Sequence, residues 1–248
     1  MKTIAIVNQK GGVGKTTISA ILLSFLPKKN LKVLGVDIDP QANLSIIFLK
    51  NLPENPTSYD LLLGKDIEPL KFKDFDLVPS TLKLARIDQE LSGVVAREYR
   101  LLKGLSKIKE LYDVIIIDTP PSLSLLTLNA LFASDGIIVP TEAKFLGIVG
   151  LSNLWEVLRE IKEYADKEID VIGIVPNLFE KSVSLQRDLL NKLNELQIKV
   201  FHPIPKRSTF QYFSLGEKTL DDLDSFTKES IKDLIEGVVE WLKKEKAF

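Results

Sequence analysis

The chain has 248 residues, 45% of them hydrophobic and 27% charged, with a formal net charge of −1. That is enough for one large α/β domain with a substantial core, and it argues against a strongly basic nucleic-acid binder while leaving a local basic patch open. The absence of cysteine excludes disulfides, zinc-thiolate sites, cysteine nucleophiles and cysteine-held iron–sulfur clusters.

The start, "MKTIAIVNQK", reads as a strand entering a loop and not as a signal peptide. No apolar run approaches the ~20 residues of a membrane helix. After the strand "TIAIV" comes a glycine-rich loop, then a helical stripe of Ile18, Ile21, Leu22 and Phe25. "KVLGVDID" is a second strand. Residues 50–75, with Pro53, Pro56 and Gly64, read as a loop-rich excursion. "DVIIIDT" and "GIIVPT" are further strands, followed by a helical stripe of Leu151, Leu154, Leu158 and Ile161. "DVIGIVPN", a third stripe of Leu185, Leu189, Leu193 and Leu196, and the strand "VFHPIP" come next. An amphipathic helix, "SIKDLIEGVVEWLKKEKAF", closes the chain, its stripe of Ile231, Leu234, Ile235, Val238 and Leu242 packing on the core. The strands are Val- and Ile-rich and apolar at consecutive positions, the pattern of strands buried on both faces of a parallel sheet. Alternation with helices predicts a doubly wound, mostly parallel α/β sheet with helices on both faces, residues 1–248 forming a single domain.

Gly11, Gly12, Val13, Gly14, Lys15 and Thr16 lie between a predicted strand and a predicted helix. Glycines let successive backbone N–H groups turn toward phosphate oxygens, and the helix N-terminus adds its dipole. Lys15 is placed to pair with β- and γ-phosphates, and the Thr16 hydroxyl to ligate Mg²⁺. The general loop pattern has glycine where this chain has Gln9, so the fit is to a variant of it. Such a loop needs a carboxylate at the end of a neighbouring strand to organise Mg²⁺. Asp118 follows four apolar residues, and Asp37 and Asp39 end another apolar strand. For Asp37, loop support and metal contact are both open.

The stretches "NQKGGVGKTT", "VDIDPQAN", "VIIIDTPPSLSLLTLNAL" and "VPTEAKFLGIVGLSNL" together resemble the ParA/Soj partition ATPases, of the deviant Walker A group that also holds MinD. The resemblance runs from Lys2 to about Gly216. It implies a P-loop NTPase fold of the ParA-like type, Mg²⁺-dependent hydrolysis of ATP that is slow and partner-stimulated, and a homodimer in the ATP state. It also implies that Lys10, the second lysine of the loop, crosses the dimer interface to the partner's phosphates. By the same resemblance Asp39 orients the attacking water and contributes at the metal, Lys15, Thr16 and Thr17 hold phosphates and Mg²⁺, Asp118 holds Mg²⁺ through water, and Asn177 and Pro205 line the adenine pocket.

Family members bind non-specific DNA as ATP dimers and work with a ParB-like activator protein, which implies a cytoplasmic, nucleoid-associated location. Lys181, Arg187, Lys192, Lys206 and Arg207 are the candidate DNA-contacting residues, each equally readable as a solvated cation. The segment "LDDLDSFTKES" is acidic where relatives often carry arginine. A stable membrane anchor is not expected, since the final apolar stripe serves the core. The alternatives are a MinD-like or other cargo-positioning ATPase, or a nucleotide-dependent dimeric scaffold that does not bind DNA.

Overall fold

The computed structural model describes residues 1–142, 145–180, 190–191, 193, 195, 197–206 and 223–244, with the backbone alone over 145–150. Among the described residues seven strands form one sheet, in the order β3-β4-β2-β5-β1-β6-β7. They are β1 (Lys2–Ile6), β2 (Val33–Asp37), β3 (Leu70–Lys71), β4 (Asp76–Val78), β5 (Val114–Asp118), β6 (Gly136–Glu142) and β7 (Asp170–Asn177). Every pairing is parallel except the edge hairpin β3–β4. All five residues of β2 and of β5 are buried, as consecutive apolar positions in a sheet covered on both sides require.

Side chains alternate between two cores. On one face Ala5, Val36, Ile115, Ile117 and Val139 meet α3 (Ser58–Leu62), α4 (Ile87–Glu90), α5 (Arg100–Leu105), α6 (Leu125–Ala133) and the second half of α7 (Phe145–Ala165). On the other, Ile4, Ile6, Ile116 and Ile138 meet α1 (Lys15–Phe25), α2 (Asn43–Phe48) and α8 (Ser225–Lys243). The predicted stripes are the packed faces: Ile18, Ile21, Leu22 and Phe25 of α1, and Leu151, Leu154 and Ile161 of α7, are buried. Ile231, Leu234, Ile235 and Val238 of α8 are buried as well, with Leu242 packed against that core, so this amphipathic face is covered by the protein itself. Among the described residues no helix is long and apolar enough to cross a membrane.

Two segments depart from the sequence reading. The excursion at 50–75 contains α3, opened by a reciprocal Thr57–Asp60 cap, and the short strand β3. Residues 200–205 are not a strand but touch β7 and the residues after it through two isolated parallel bridges, Ile174–Val200 and Phe179–Pro205. Pro203 and Pro205 have no N–H to donate, so a continuous ladder cannot form there. Of the third predicted stripe, Leu193 is buried; Leu185, Leu189 and Leu196 lie outside the described residues.

β1 occupies the middle of the sheet, between β5 and β6. Ile6 at its carboxyl end is level with Asp118, and Asp37 of β2 is level with Asp118 on the other side. The loop after β1 therefore emerges over a row of strand-end carboxylates, at the edge where parallel α/β sheets bind ligands.

Candidate functional site

Residues 7–14 join β1 to α1. Gly12 and Gly14 have φ of 75° and 93°, a left-handed backbone that glycine adopts without steric cost. At Gly14 space forbids a side chain as well: a Cβ would stand 1.8 Å from Asn177 Nδ2. Among the described residues no side chain caps α1, and its first turn carries no acidic residue. Its leading N–H groups and dipole thus face the loop, an arrangement suited to an anion.

Lys15 is 6% exposed and its Nζ points back into the loop, donating to the Lys10 carbonyl at 3.3 Å. Burial pushes the Lys15 ammonium below its ordinary range, against the pull of the Asp118 and Asp39 charges. Thr16 Oγ1 donates to Asp118 Oδ2 at 2.8 Å, and Ser19 Oγ donates to Asp118 Oδ1 at 2.8 Å. Asp118 is fully buried, and burial pushes its carboxyl up; the Ser19 and Thr16 hydroxyls and Lys15 oppose that, while Asp39 adds to it. Asp37 is also raised, first by burial and then by the Asp118 charge. Two buried carboxyls one strand apart thus resist ionising together.

The structure brings together Lys10, Gly11, Gly12, Val13, Gly14, Lys15, Thr16, Asp118 and Asn177. Asp39 joins them electrostatically, through its charge on Lys15 and Asp118. Thr17 lies on the first turn of α1. Asp37 serves as loop support: its Oδ2 accepts from Ser45 N (2.8 Å) and Ser45 Oγ (2.7 Å), and its Oδ1 from Asp39 N (3.1 Å). Asn177, at the end of β7 and 2% exposed, donates from Nδ2 to the Val13 carbonyl at 2.8 Å and so clamps the loop. Pro205 is buried in the segment bridged to Phe179. Lys10 is held in its own chain: its Nζ lies 2.5 Å from Glu142 Oε2, and its N donates to Asn8 Oδ1 at 2.9 Å.

Lys206 is exposed and pairs with Glu180 at 3.3 Å. Lys181, Arg187, Lys192 and Arg207 lie outside the described residues. In the acidic segment, Asp224 caps α8, accepting from Thr227 N (3.1 Å) and Thr227 Oγ1 (2.7 Å); Asp221 and Asp222 lie outside the described residues. A cavity of about 850 Å³ lined by Met1, Leu31, Val239 and Leu242 sits at the amino end of β1, away from this loop.

Sequence reasoning missed Ser19, Ser45, Ser80 and Glu142. Glu142 carries the same signal that marked Asp118, a lone acid closing an apolar strand. Ser19 lies four residues after Lys15, a polar position on an apolar helix face. Ser45 and Ser80 are small polar residues in unpatterned stretches and carry no such signal.

The residues fit a nucleotide and a hard divalent cation. Gln9 Nε2 is a buried donor with no partner among the described residues, as a loop that cradles an acceptor requires. Thr16 and Asp118 offer oxygen donors, the set that magnesium takes alongside substrate phosphates.

A family model described as an AAA domain matches residues 1–171. The sporulation initiation inhibitor protein Soj of Bacillus subtilis is 35% identical over 84% of this chain and 85% of its own. A putative plasmid partition protein from Borrelia burgdorferi, solved bound to AMPPNP, superposes with a TM-score of 0.83 at 26% identity, covering 97% of this chain and 99% of that one. Cobyrinic acid a,c-diamide synthase from Mycobacterium smegmatis, solved with an ATP analog and magnesium, has a TM-score of 0.84 at 28% identity, covering 98% and 96%.

Proposed function

Since the chain belongs to the ParA/Soj-type partition ATPases within the AAA-domain family, we propose that it is a Mg²⁺-dependent ATPase that dimerises around ATP, binds DNA without sequence preference in that state, and moves a DNA cargo. The observation that carries this reading is the convergence of buried Lys15 and the Thr16–Asp118 hydrogen bond at the carboxyl end of the central strands. The solved relatives bound to AMPPNP, and to an ATP analog with magnesium, support the same ligands here.

Bound ATP and Mg²⁺ supply the transferable phosphoryl group and a cation that spreads its charge. Around them, α1 and the loop N–H groups orient the phosphates, and Lys15 neutralises β/γ charge from a buried position where that charge counts most. Thr16 and Asp118, already hydrogen-bonded to each other, would hold the metal. Asp39 orients water for attack. Lys10 leaves Glu142 to reach the phosphates of a second copy, as a cation supplied in trans. Hydrolysis is slow until a ParB-like activator engages, and the location is nucleoid-associated. Lys206 and, by the family resemblance, Lys181, Arg187, Lys192 and Arg207 are the proposed phosphate contacts of DNA.

A mobility-shift titration of mixed-sequence DNA with ATP, ADP and no nucleotide, at several salt concentrations, tests this. The expected result is binding with ATP alone that falls steeply with salt. Dimerisation by ATP without any DNA shift would replace the DNA reading with a nucleotide-gated scaffold.

A further inference from the structure

Asp39 sits beyond the end of β2, in a stretch with no regular structure of its own, yet a water-orienting carboxylate must be held to a fraction of an ångström. We infer that Ser80, backed by Ser45, is a positioning residue that fixes Asp39 for hydrolysis. The inference rests on the proposed role of Asp39.

The hydrogen bonds close into a ring. Asp39 N donates to Asp37 Oδ1 (3.1 Å), and Ser45 Oγ donates to Asp37 Oδ2 (2.7 Å). Ser80 N donates to Ser45 Oγ (2.8 Å), and Ser80 Oγ donates to the Asp39 carbonyl (2.5 Å). The ring ties the end of β2 and the first turn of α2, eight residues apart, to the residues after β4, 35 to 41 residues on. Ser58 adds a brace, donating from Oγ to the Asp37 carbonyl (2.6 Å) and from N to the Pro79 carbonyl (2.8 Å). Ser45, Ser58, Ser80 and Asp37 are all 0% exposed.

This geometry constrains Asp39 from both sides of its backbone. Its N–H is held by Asp37, and its carbonyl by Ser80 and by Ala42 N at 2.8 Å. Gln41 N occupies Oδ1 at 2.9 Å, and among the described residues no donor reaches Oδ2. One carboxylate oxygen is thereby anchored, and the other accepts no hydrogen bond among the described residues. None of these bonds touches Lys15, Thr16 or the loop glycines, and loss of the Ser80 hydroxyl leaves the Asp39 charge felt by Lys15 in place, so a defect here is expected at the attack step and not in nucleotide binding. Fully buried hydroxyls in a closed network have little freedom to move, and their loss is felt at the group they orient.

The test compares Ser80→Ala, Ser80→Thr and Asp39→Ala in the full chain, reading kcat and KM for ATP with Mg²⁺ together with the thermal midpoint. Ser80→Ala removes the hydroxyl and should lower kcat about tenfold with KM unchanged, short of the ~10²-fold that an ångström of misplacement can cost. Ser80→Thr keeps the hydroxyl while adding a methyl to a filled site, so it should lose thermal stability yet recover most of kcat. That crossing of activity and stability is what a purely structural ring cannot produce. Parental kcat in Ser80→Ala beside an inactive Asp39→Ala overturns the positioning inference and leaves the Asp39 role standing. Parental hydrolysis by Asp39→Ala overturns both. If kcat of both Ser80 variants simply tracks their midpoints, the ring is a fold staple and the inference falls. Should Ser80→Ala fail to fold, Ser80→Cys, close in volume and a weak donor, is read against the same outcomes.

Discussion

Glu142→Gln should strengthen the ATP-bound dimer. Lys10 Nζ is held 2.5 Å from Glu142 Oε2, with the two side chains 35% and 14% exposed. The lysine backbone is pinned to the same strand, since Asn8 receives the Lys10 amide at 2.9 Å and donates to the Pro140 carbonyl at 2.7 Å. A lysine that crosses to a partner must first break the Glu142 pair, once in each subunit. A pair at this exposure is partly screened and contributes about 0.5–1 kcal/mol. Two of them oppose dimerisation by about 1–2 kcal/mol, or roughly 5- to 30-fold in the dimer Kd. Glutamine keeps the shape and removes the charge. Sedimentation of the protein with Mg²⁺ and a non-hydrolysable ATP analogue should show that gain at low salt and a smaller one at high salt. Nucleotide affinity of the monomer should not change. In a Lys10→Ala background the gain should vanish, because the two residues act as a pair. A Glu142→Gln dimer no tighter than the parental one would refute the latch.

Asp39→Ala should keep ATP binding and stop hydrolysis, trapping the dimer; a parental rate of phosphate release would contradict this. Gly14→Ala should abolish nucleotide binding in a calorimetric titration, since φ is 93° and the new Cβ would meet Asn177 Nδ2. Burial works to raise Asp60, but the Lys65 ammonium and the Thr57 hydroxyl and amide outweigh it and hold the carboxyl below its usual range. A depressed carboxyl stabilises the fold above its unfolded pKa, and that stabilisation is lost as pH falls through the folded value. Asp60→Asn should therefore cost about 1 kcal/mol in urea unfolding at pH 7, and the gap from the parental protein should close below about pH 4.

The sheet was legible because its central strands are buried on both faces, so Val and Ile at consecutive positions announced them. The phosphate loop was legible because its chemistry demands glycine and lysine at set offsets, and Asp118 because a lone charge closing an apolar strand needs a reason. What stayed hidden depends on contacts far apart in sequence. Resemblance alone assigns Asn177 to the adenine pocket; its bond to the Val13 carbonyl spans 164 residues, and nothing local announced that clamp. Ser80 and Ser45 gain their meaning only when β4 and α2 are stacked beside β2. The β3–β4 hairpin is too short for a period, with two residues in β3. Residues 200–205 look strand-like by composition, but prolines deny the ladder.

The most direct test of the central claim is the mass in solution, by light scattering, of the parental protein with Mg²⁺ and a non-hydrolysable ATP analogue. A species of twice the 27.8 kDa chain should form with the analogue, and a single chain should remain with ADP. The same single-chain mass under both conditions would contradict the claim.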